Sequence, residues 1–289
     1  MTQKQKGVFF IIISAFCFAW MNAFVKLSGD LPSIEKSFFR NLVALIFAFI
    51  LICKSGDGFS FKKENLSWFI LRSVAGTLGI FCNFYAVDHL VLSDASTLNK
   101  LSPFFVIVFS FLLLKERITI PQGVCLIAAF IGSMFIVKPS FANVSFIPAL
   151  VGFMGGLFAG AAYTCVRKLG LNGERGTFIV FFFSTFSCIS CIPFIVADFH
   201  PISLPQLGYL IMAGLAASGG QFAITKAYTC APGREVSIYD YTQIIFTTMI
   251  GFFLFGQVPD GLSFVGYIVI VVAAVSMFLY NNRQGEKID

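Results

Sequence analysis

Apolar residues in this chain gather into ten runs, each close to the length that an α-helix needs to cross a lipid bilayer. About 20 helical residues cover the roughly 30 Å of bilayer hydrocarbon. Backbone N–H and C=O groups in lipid must be satisfied within the spanning structure, so runs of this length predict helices rather than a barrel. We therefore predict an all-α membrane protein with ten transmembrane helices near residues 7–28, 35–53, 67–88, 93–114, 118–137, 146–166, 175–197, 206–228, 236–256 and 261–280.

The second five runs echo the first five at an offset of about 141 residues. Residues 24–27 resemble 166–169, and residues 111–116 resemble 252–257. Each copy holds an odd number of spans, so the second copy must enter the membrane upside down relative to the first. We predict two inverted five-helix repeats over residues 1–140 and 141–289, a plan that recurs in secondary transporters because mirrored conformations open to opposite sides.

Basic residues lie mostly on one side of the predicted topology. With a cytoplasmic N-terminus the other face receives only Lys26, Lys36 and Lys138. The positive-inside rule then predicts a multi-pass protein of the cytoplasmic membrane with both termini in the cytoplasm. The basic residues on the predicted cytoplasmic side are Lys4, Lys6, Lys54, Lys62, Lys63, Arg72, Lys115, Arg117, Arg167, Lys168, Arg175, Lys226, Arg234, Arg283 and Lys287.

Composition agrees with a lipid environment. Hydrophobic residues make up 57% of the chain and charged residues 12%, whereas a soluble protein of this size needs more charge to cover its surface. The net charge of +6 follows from the basic loops, so it does not indicate a partner nucleic acid.

Several short motifs resemble one transporter family along essentially the whole chain. They are residues 37–40 at the start of the second run, Tyr85 and Ala86 at the end of the third, and residues 94–103 leading into 111–116. In these motifs the chain resembles the EamA-like branch of the drug/metabolite transporter superfamily. The second copy departs from the family's usual Gly-Glu with Gly256 and Gln257. The resemblance implies ten helices, a central cavity shared by the two halves, and export or uptake of small metabolites.

Charged residues near the ends of the runs are expected to reach water at the membrane interfaces, because long side chains can extend toward the headgroups. These residues are Lys26, Glu35, Lys36, Arg72, Arg167, Lys168 and Lys226.

Four polar residues lie deeper: Arg40, Asn99, Lys100 and Asp240. The repeat offset matches Asn99 with Asp240, which places one polar position in each half near a shared centre. An intramembrane charge is costly and marks a functional candidate. Two interpretations remain open. Lys100 and Asp240 form a purely structural ion pair, or they line a solute path where the acid exchanges a proton and the cation meets a carboxylate.

Further candidate solute contacts lie near these positions, although aromatic residues are also general packing material in a chain with 38 phenylalanines. At most one of Tyr239 and Tyr241 shares the helix face of Asp240, because neighbouring residues differ by about 100°. Pro103 should remove a helical hydrogen bond to the carbonyl of Asn99 and kink the helix beside Lys100. The remaining candidates are Trp20, Asn22 and Tyr163.

No motif for catalysis, cofactor binding or metal binding is recognisable. Cys188 and Cys191 form an isolated C-x-x-C inside an apolar run, which is more typical of buried small residues than of a zinc site. His89 and His200 fall in separate outer loops. We therefore expect no cofactor and no enzyme activity.

The favoured function is a secondary carrier, proton-coupled or a facilitator, for an amino-acid-like or other zwitterionic or anionic solute. Its expected partners are that solute, membrane lipid and the proton as coupling ion, with the chain as a monomer or homodimer. An exporter of cationic or aromatic compounds is one alternative. A membrane enzyme or ligand-binding protein that does not transport is the alternative from another class.

Overall fold

A computed structural model describes residues 2–56, 58–89, 92–115, 118–137, 146–256 and 261–285. The regular elements in these ranges are helical. Two short 3₁₀ segments, Lys63–Asn65 and Ser237–Tyr241, accompany the α-helices. The α-helices are α1 (Gln3–Leu27), α2 (Ser33–Ser55), α3 (Leu66–His89), α4 (Leu92–Asn99), α5 (Ser102–Leu114), α6 (Ile120–Val137), α7 (Phe146–Leu171), α8 (Gly176–Ala197), α9 (Leu204–Cys230), α10 (Gly233–Val236), α11 (Thr242–Phe255) and α12 (Gly261–Gly285).

The helices have the length and composition of a multi-pass membrane protein. Within the described residues, seven helical stretches are long and apolar enough to cross a membrane. Three shorter apolar helices accompany them, at Ser102–Leu114, Ile120–Gly132 and Phe264–Tyr280. Large apolar side chains such as Phe111, Phe253 and Ile268 face outward, where lipid would cover them. The count of ten spans stays a prediction.

Two of the predicted continuous runs are interrupted in the structure. In the run 93–114, α4 ends at Asn99 and α5 begins at Ser102, with Lys100 and Leu101 between them. Pro103 lies in the first turn of α5, where its missing N–H is harmless, and it cannot donate to the carbonyl of Asn99. The irregularity expected beside Lys100 is thus present, as a two-residue interruption between α4 and α5.

The matching run 236–256 is interrupted as well. It begins with the 3₁₀ segment Ser237–Tyr241, and the α-helix α11 starts only at Thr242. Asp240 therefore lies on a tight turn ahead of the helix and not a turn inside it. The two interruptions fall at positions related by the sequence offset.

Helix pairs cross through small residues. Helix α1 runs antiparallel to α9, with Ser14 Oγ donating to the carbonyl of Gly220 over 2.9 Å. Helix α3 crosses α7 in the same way, and a Cβ atom at Gly79 would lie 3.5 Å from the Gly155 carbonyl oxygen. The offset of about 141 residues maps Ser14 onto Gly155 and Gly79 onto Gly220, so the two crossings correspond. Such small residues let helix backbones approach closely.

The loops at one end of the bundle are joined by hydrogen bonds between the two halves of the chain. Glu174 Oε1 accepts from the Lys62 backbone N–H at 3.0 Å and from Asn65 Nδ2 at 2.6 Å. Asn172 Nδ2 donates to Asn65 Oδ1 at 2.6 Å, and Lys62 Nζ donates to the carbonyl of Asn172 at 2.8 Å. We call this the Lys62 end.

The opposite end, which we call the His200 end, also joins the two halves. Glu35 Oε1 accepts from the His200 backbone N–H at 2.9 Å, and Gln206 Nε2 donates to the carbonyl of Ser28 at 3.1 Å. Lys36 Nζ lies 2.6 Å from Asp88 Oδ1. Glu35 and Lys36 were expected to reach water, but both are buried, with Glu35 Oε1 and Lys36 Nζ bonded to these partners inside the protein.

The close packing of α7 on the break between α4 and α5 yields a stability prediction. A Cβ atom at Gly156 would lie 2.6 Å from the carbonyl oxygen of Leu98, a backbone atom that cannot move away cheaply. We expect Gly156→Ala to lower the free energy of unfolding by about 1–3 kcal/mol. Thermal unfolding of the purified protein in detergent measures the loss.

Gly123→Ala is the matched control, because nothing lies within 4 Å of a Cβ atom there and alanine favours the helix. We expect it to leave the unfolding temperature unchanged or slightly raised. Equal unfolding temperatures for the two variants would contradict the packing described.

Candidate functional site: a central cavity

A small cavity lies in the middle of the bundle, where both halves of the chain contribute side chains. Its volume is about 60 Å³, enough to hold water but far too small for a metabolite. Apolar walls come from Phe18, Met21, Phe84 and Phe183. The polar lining residues are Asn22, Arg40, Arg72, Asn83, Asn99, Lys100, Tyr163, Gln221 and Gln243.

Wider clefts lie toward the two ends of the bundle. A cleft of about 590 Å³ at the His200 end is lined by Lys26, Tyr85 and Asp88, among others. A cleft of about 1030 Å³ at the Lys62 end is lined by residues that include Glu174 and Lys226. The narrow centre between two wider ends means that a metabolite can occupy the cavity only after the helices move apart.

The interruptions of the two helices bring Lys100 and Asp240 together. Lys100 Nζ lies 2.9 Å from Asp240 Oδ2, and their side chains are only 2% and 1% exposed. Lys100 lines the cavity, whereas Asp240 is buried outside its lining. Asp240 Oδ1 has no hydrogen-bond partner among the described groups. A buried pair of this kind is strongly coupled, because loss of one partner leaves the other charge unmatched at low dielectric.

Arg40 reaches the cavity from α2. Its Nη1 donates to Asn41 Oδ1 at 2.6 Å and its Nη2 donates to Gln221 Oε1 at 3.2 Å. Its Nε is buried without a hydrogen-bond partner among the described groups. The described partners of Arg40 are thus neutral amides, and no carboxylate among the described residues pairs with its positive charge at the cavity.

Arg72 also lines the cavity, although the sequence analysis placed it at a membrane interface. That expectation was wrong, since Arg72 is 2% exposed. Its guanidinium carbon lies 3.9 Å from the centre of the Phe183 ring, a cation–π contact. The guanidinium also occupies the space beside Gly76, where a Cβ atom would collide with it. The side chain therefore runs along α3 toward the centre of the bundle instead of extending to the interface.

Three further candidates from the sequence line the cavity: Asn22, Asn99 and Tyr163. Asn22 is almost fully buried, and its Oδ1 has no hydrogen-bond partner among the described groups. The Tyr163 ring stacks on Tyr228 with ring centres 5.2 Å apart. These residues add neutral hydrogen-bonding groups beside the cations.

The other predicted candidates lie outside the lining of the cavity. Trp20 stacks on Phe24 with ring centres 5.5 Å apart, and Tyr239 packs in the hydrophobic core. Tyr241 is fully buried, and Pro103 supports the start of α5. Direct solute contact by these residues stays a prediction.

Sequence reasoning missed four polar residues of the cavity, Arg72, Asn83, Gln221 and Gln243. The amides carry no charge that would draw attention inside an apolar run. A signal for Arg72 existed, because Gly76 follows it by four residues and so leaves room on the same helix face.

Comparison with protein families gives one match along most of the chain. The model of the EamA-like transporter family matches residues 5–138 and again 146–279, and the two ranges begin 141 residues apart. The pseudopaline exporter CntI of Pseudomonas aeruginosa (strain UCBPP-PA14) is 34% identical over 279 residues, covering 94% of this chain and 96% of the exporter.

Relatives with lower sequence identity also match nearly the whole of this chain. Solute carrier family 35 member G1 of Homo sapiens is 27% identical, covering 97% of this chain and 81% of the human protein. The riboflavin transporter of Vibrio cholerae is 24% identical, covering 98% and 96%. A solved crystal structure with 13% sequence identity superposes with a TM-score of 0.79 over 97% of this chain and 99% of that chain, which shows a shared fold.

The buried ion pair predicts that substitutions of Lys100 and Asp240 have non-additive effects on the free energy of unfolding. Lys100→Met or Asp240→Asn alone should lower the free energy of unfolding by about 3–5 kcal/mol, because each leaves a buried group without its partner. The double variant should lose much less than the sum of the two. Thermal unfolding of the four proteins measures the coupling.

Lys36→Met serves as the matched control, since Asp88 is 22% exposed and keeps contact with water after the change. We expect Lys36→Met to lower the free energy of unfolding by less than Lys100→Met does. Additive losses in the Lys100 and Asp240 cycle would contradict a coupled buried pair.

Proposed function

Since this chain belongs to the EamA-like transporter family, we propose that it is a secondary transporter for a small organic solute that bears a carboxylate, such as an amino acid or another zwitterionic or anionic metabolite. Its named relatives support membrane transport of a small metabolite. The observation that carries the choice of solute is the charge of the cavity, because Arg40, Arg72 and Lys100 line it and, of these three cations, Lys100 is paired with Asp240 just outside the lining. A cationic solute would meet repulsion from the same residues.

The arrangement of the helices supports the proposal that transport occurs by alternating access. The proposed repeats, residues 1–140 and 141–289, place corresponding helix crossings and corresponding helix interruptions around one cavity. Interrupted helices around a central site recur in transporters built from inverted repeats. Hydrogen bonds between the halves hold the Lys62 end and the His200 end, so the ends can open in turn when the halves rock about the cavity.

The Lys62 end is proposed to face the cytoplasm. Basic residues concentrate there, and the positive-inside rule assigns such a side to the cytoplasm. Both termini are then cytoplasmic, and the protein resides in the cytoplasmic membrane.

Asp240 is proposed to couple transport to protons. A solute carboxylate that binds Lys100 competes with Asp240 for the same ammonium group. When Lys100 turns to the solute, the buried carboxylate of Asp240 loses its cation, and a proton is the proposed replacement. Solute binding and proton binding are linked through this exchange of partners.

The coupling role predicts a specific defect in Asp240→Asn. Asparagine keeps the shape of the side chain but cannot titrate. In proteoliposomes we expect the variant to exchange solute at equal concentrations on both sides, yet to lose accumulation driven by a pH gradient. Asp88→Asn, which removes a carboxylate at the His200 end, should keep both activities. Gradient-driven accumulation at the parent level in Asp240→Asn would exclude this residue as the coupling site.

The proposed orientation predicts opposite labelling at the two ends. In a cysteine-free background, a cysteine at His200 should react with a membrane-impermeant reagent added to intact cells, because that side chain is 44% exposed at the proposed outer face. A cysteine at Lys62 should react only after the cells are opened. The reverse pattern would overturn the orientation.

A further inference from the structure

Two buried arginines, Arg40 and Arg72, line the central cavity without a carboxylate partner among the described residues. Two described aspartates form ion pairs with lysines and not with these arginines: Asp240 pairs with Lys100, and Asp88 pairs with Lys36. Arg40 bonds only to the amides of Asn41 and Gln221. Arg72 makes no hydrogen bond or ion pair with the described residues, and its Nε is buried without a partner.

The ring of Phe183 contacts the guanidinium groups of both Arg40 and Arg72. Its ring centre lies 3.9 Å from the guanidinium carbon of Arg72 and 5.8 Å from that of Arg40. A guanidinium that stacks on a ring keeps its N–H edge free, and that edge matches the two oxygens of a carboxylate. The aromatic contact thus fixes the orientation of Arg72 while leaving its donors available.

The uncompensated charge of the cavity sets the charge of a matching ligand. Lys100 is neutralised by Asp240, whereas Arg40 and Arg72 contribute two positive charges that no described side chain balances. Unpaired charges inside a membrane protein are costly, and an anion that enters the cavity relieves that cost. One carboxylate balances half of the excess, and two carboxylates balance all of it.

We propose that the solute is a dicarboxylate, with one carboxylate held by the guanidinium groups of Arg40 and Arg72 and the second carboxylate near Lys100. This proposal rests on the proposed transport function and narrows its substrate class. A dicarboxylate also supplies the second anionic group that competes with Asp240 for Lys100.

The charge excess is tested with small probe anions on the purified full-length protein in detergent. Thermal unfolding is measured over a concentration series of glutarate, with two carboxylates, of butyrate, with one, and of putrescine, with two ammonium groups. Glutarate should raise the unfolding temperature at concentrations about tenfold to a hundredfold below those of butyrate, as expected for one further charge-assisted bond. Putrescine should give no rise.

Variants assign the preference to the arginines. Arg72→Gln should remove the advantage of glutarate over butyrate. Gly76→Ala keeps the arginine, but its Cβ atom would collide with both the guanidinium and the Phe183 ring, so it should disturb their contact and weaken the advantage without removing a charge. Arg167→Gln is the matched control, because Arg167 is also a buried arginine but lies outside the cavity lining. It should keep the full advantage.

The outcomes separate this proposal from the proposed function. Equal stabilisation by glutarate and butyrate would overturn the dicarboxylate site and leave a carboxylate transporter standing. Stabilisation by putrescine without either acid would overturn both. A lack of stabilisation by every probe would also overturn the dicarboxylate site. Should Arg72→Gln fail to fold, the probe series on the parent protein and on Gly76→Ala decides the question.

Discussion

The ion pair between Lys100 and Asp240 is the interaction on which the centre of this protein depends. Two opposite charges 2.9 Å apart and shielded from water are stable only when both are held in place. The chain holds them by interrupting two helices, one after Asn99 and one before Thr242. The interruptions bring Lys100 to the wall of the cavity, while the excess of positive charge there comes from Arg40 on α2 and Arg72 on α3.

The same pair is central to the proposed coupling. While Lys100 contacts Asp240, the cavity presents the charges of Arg40 and Arg72. In the proposed exchange an anionic solute takes Lys100, and a proton replaces the ammonium group as the partner of Asp240. The small volume of the cavity means that this exchange would require a movement of the helices, which would break and form the loop contacts at each end of the bundle.

Sequence reasoning predicted the features that follow from hydrophobicity and charge. The linear pattern predicts the helical spans and the repeat offset, because a helix must be long enough to cross the lipid. It also predicts the group of Arg40, Asn99, Lys100 and Asp240, because charged and polar residues are rare inside membrane spans. Arg72 was wrongly predicted to lie at a membrane interface, because its depth in the membrane was inferred only from its position along the helix. The direction of its side chain depends on the space at Gly76 and the ring of Phe183, which belongs to another helix. The 3₁₀ segment before α11 carries no proline, so its tight turn depends on packing and not on a local signal.

The central claim, that the two ends open in turn around one anion site, is tested most directly by distances across those ends. Spin labels at Glu64 and Leu171 span the Lys62 end, and labels at Asp30 and Asp198 span the His200 end; all four positions are exposed. Double electron–electron resonance on the purified protein, with and without saturating transported solute, measures both distances. The account predicts that solute changes the two distance distributions in opposite directions, with one end opening while the other closes. Distances that stay unchanged, or that lengthen together at both ends, would contradict it.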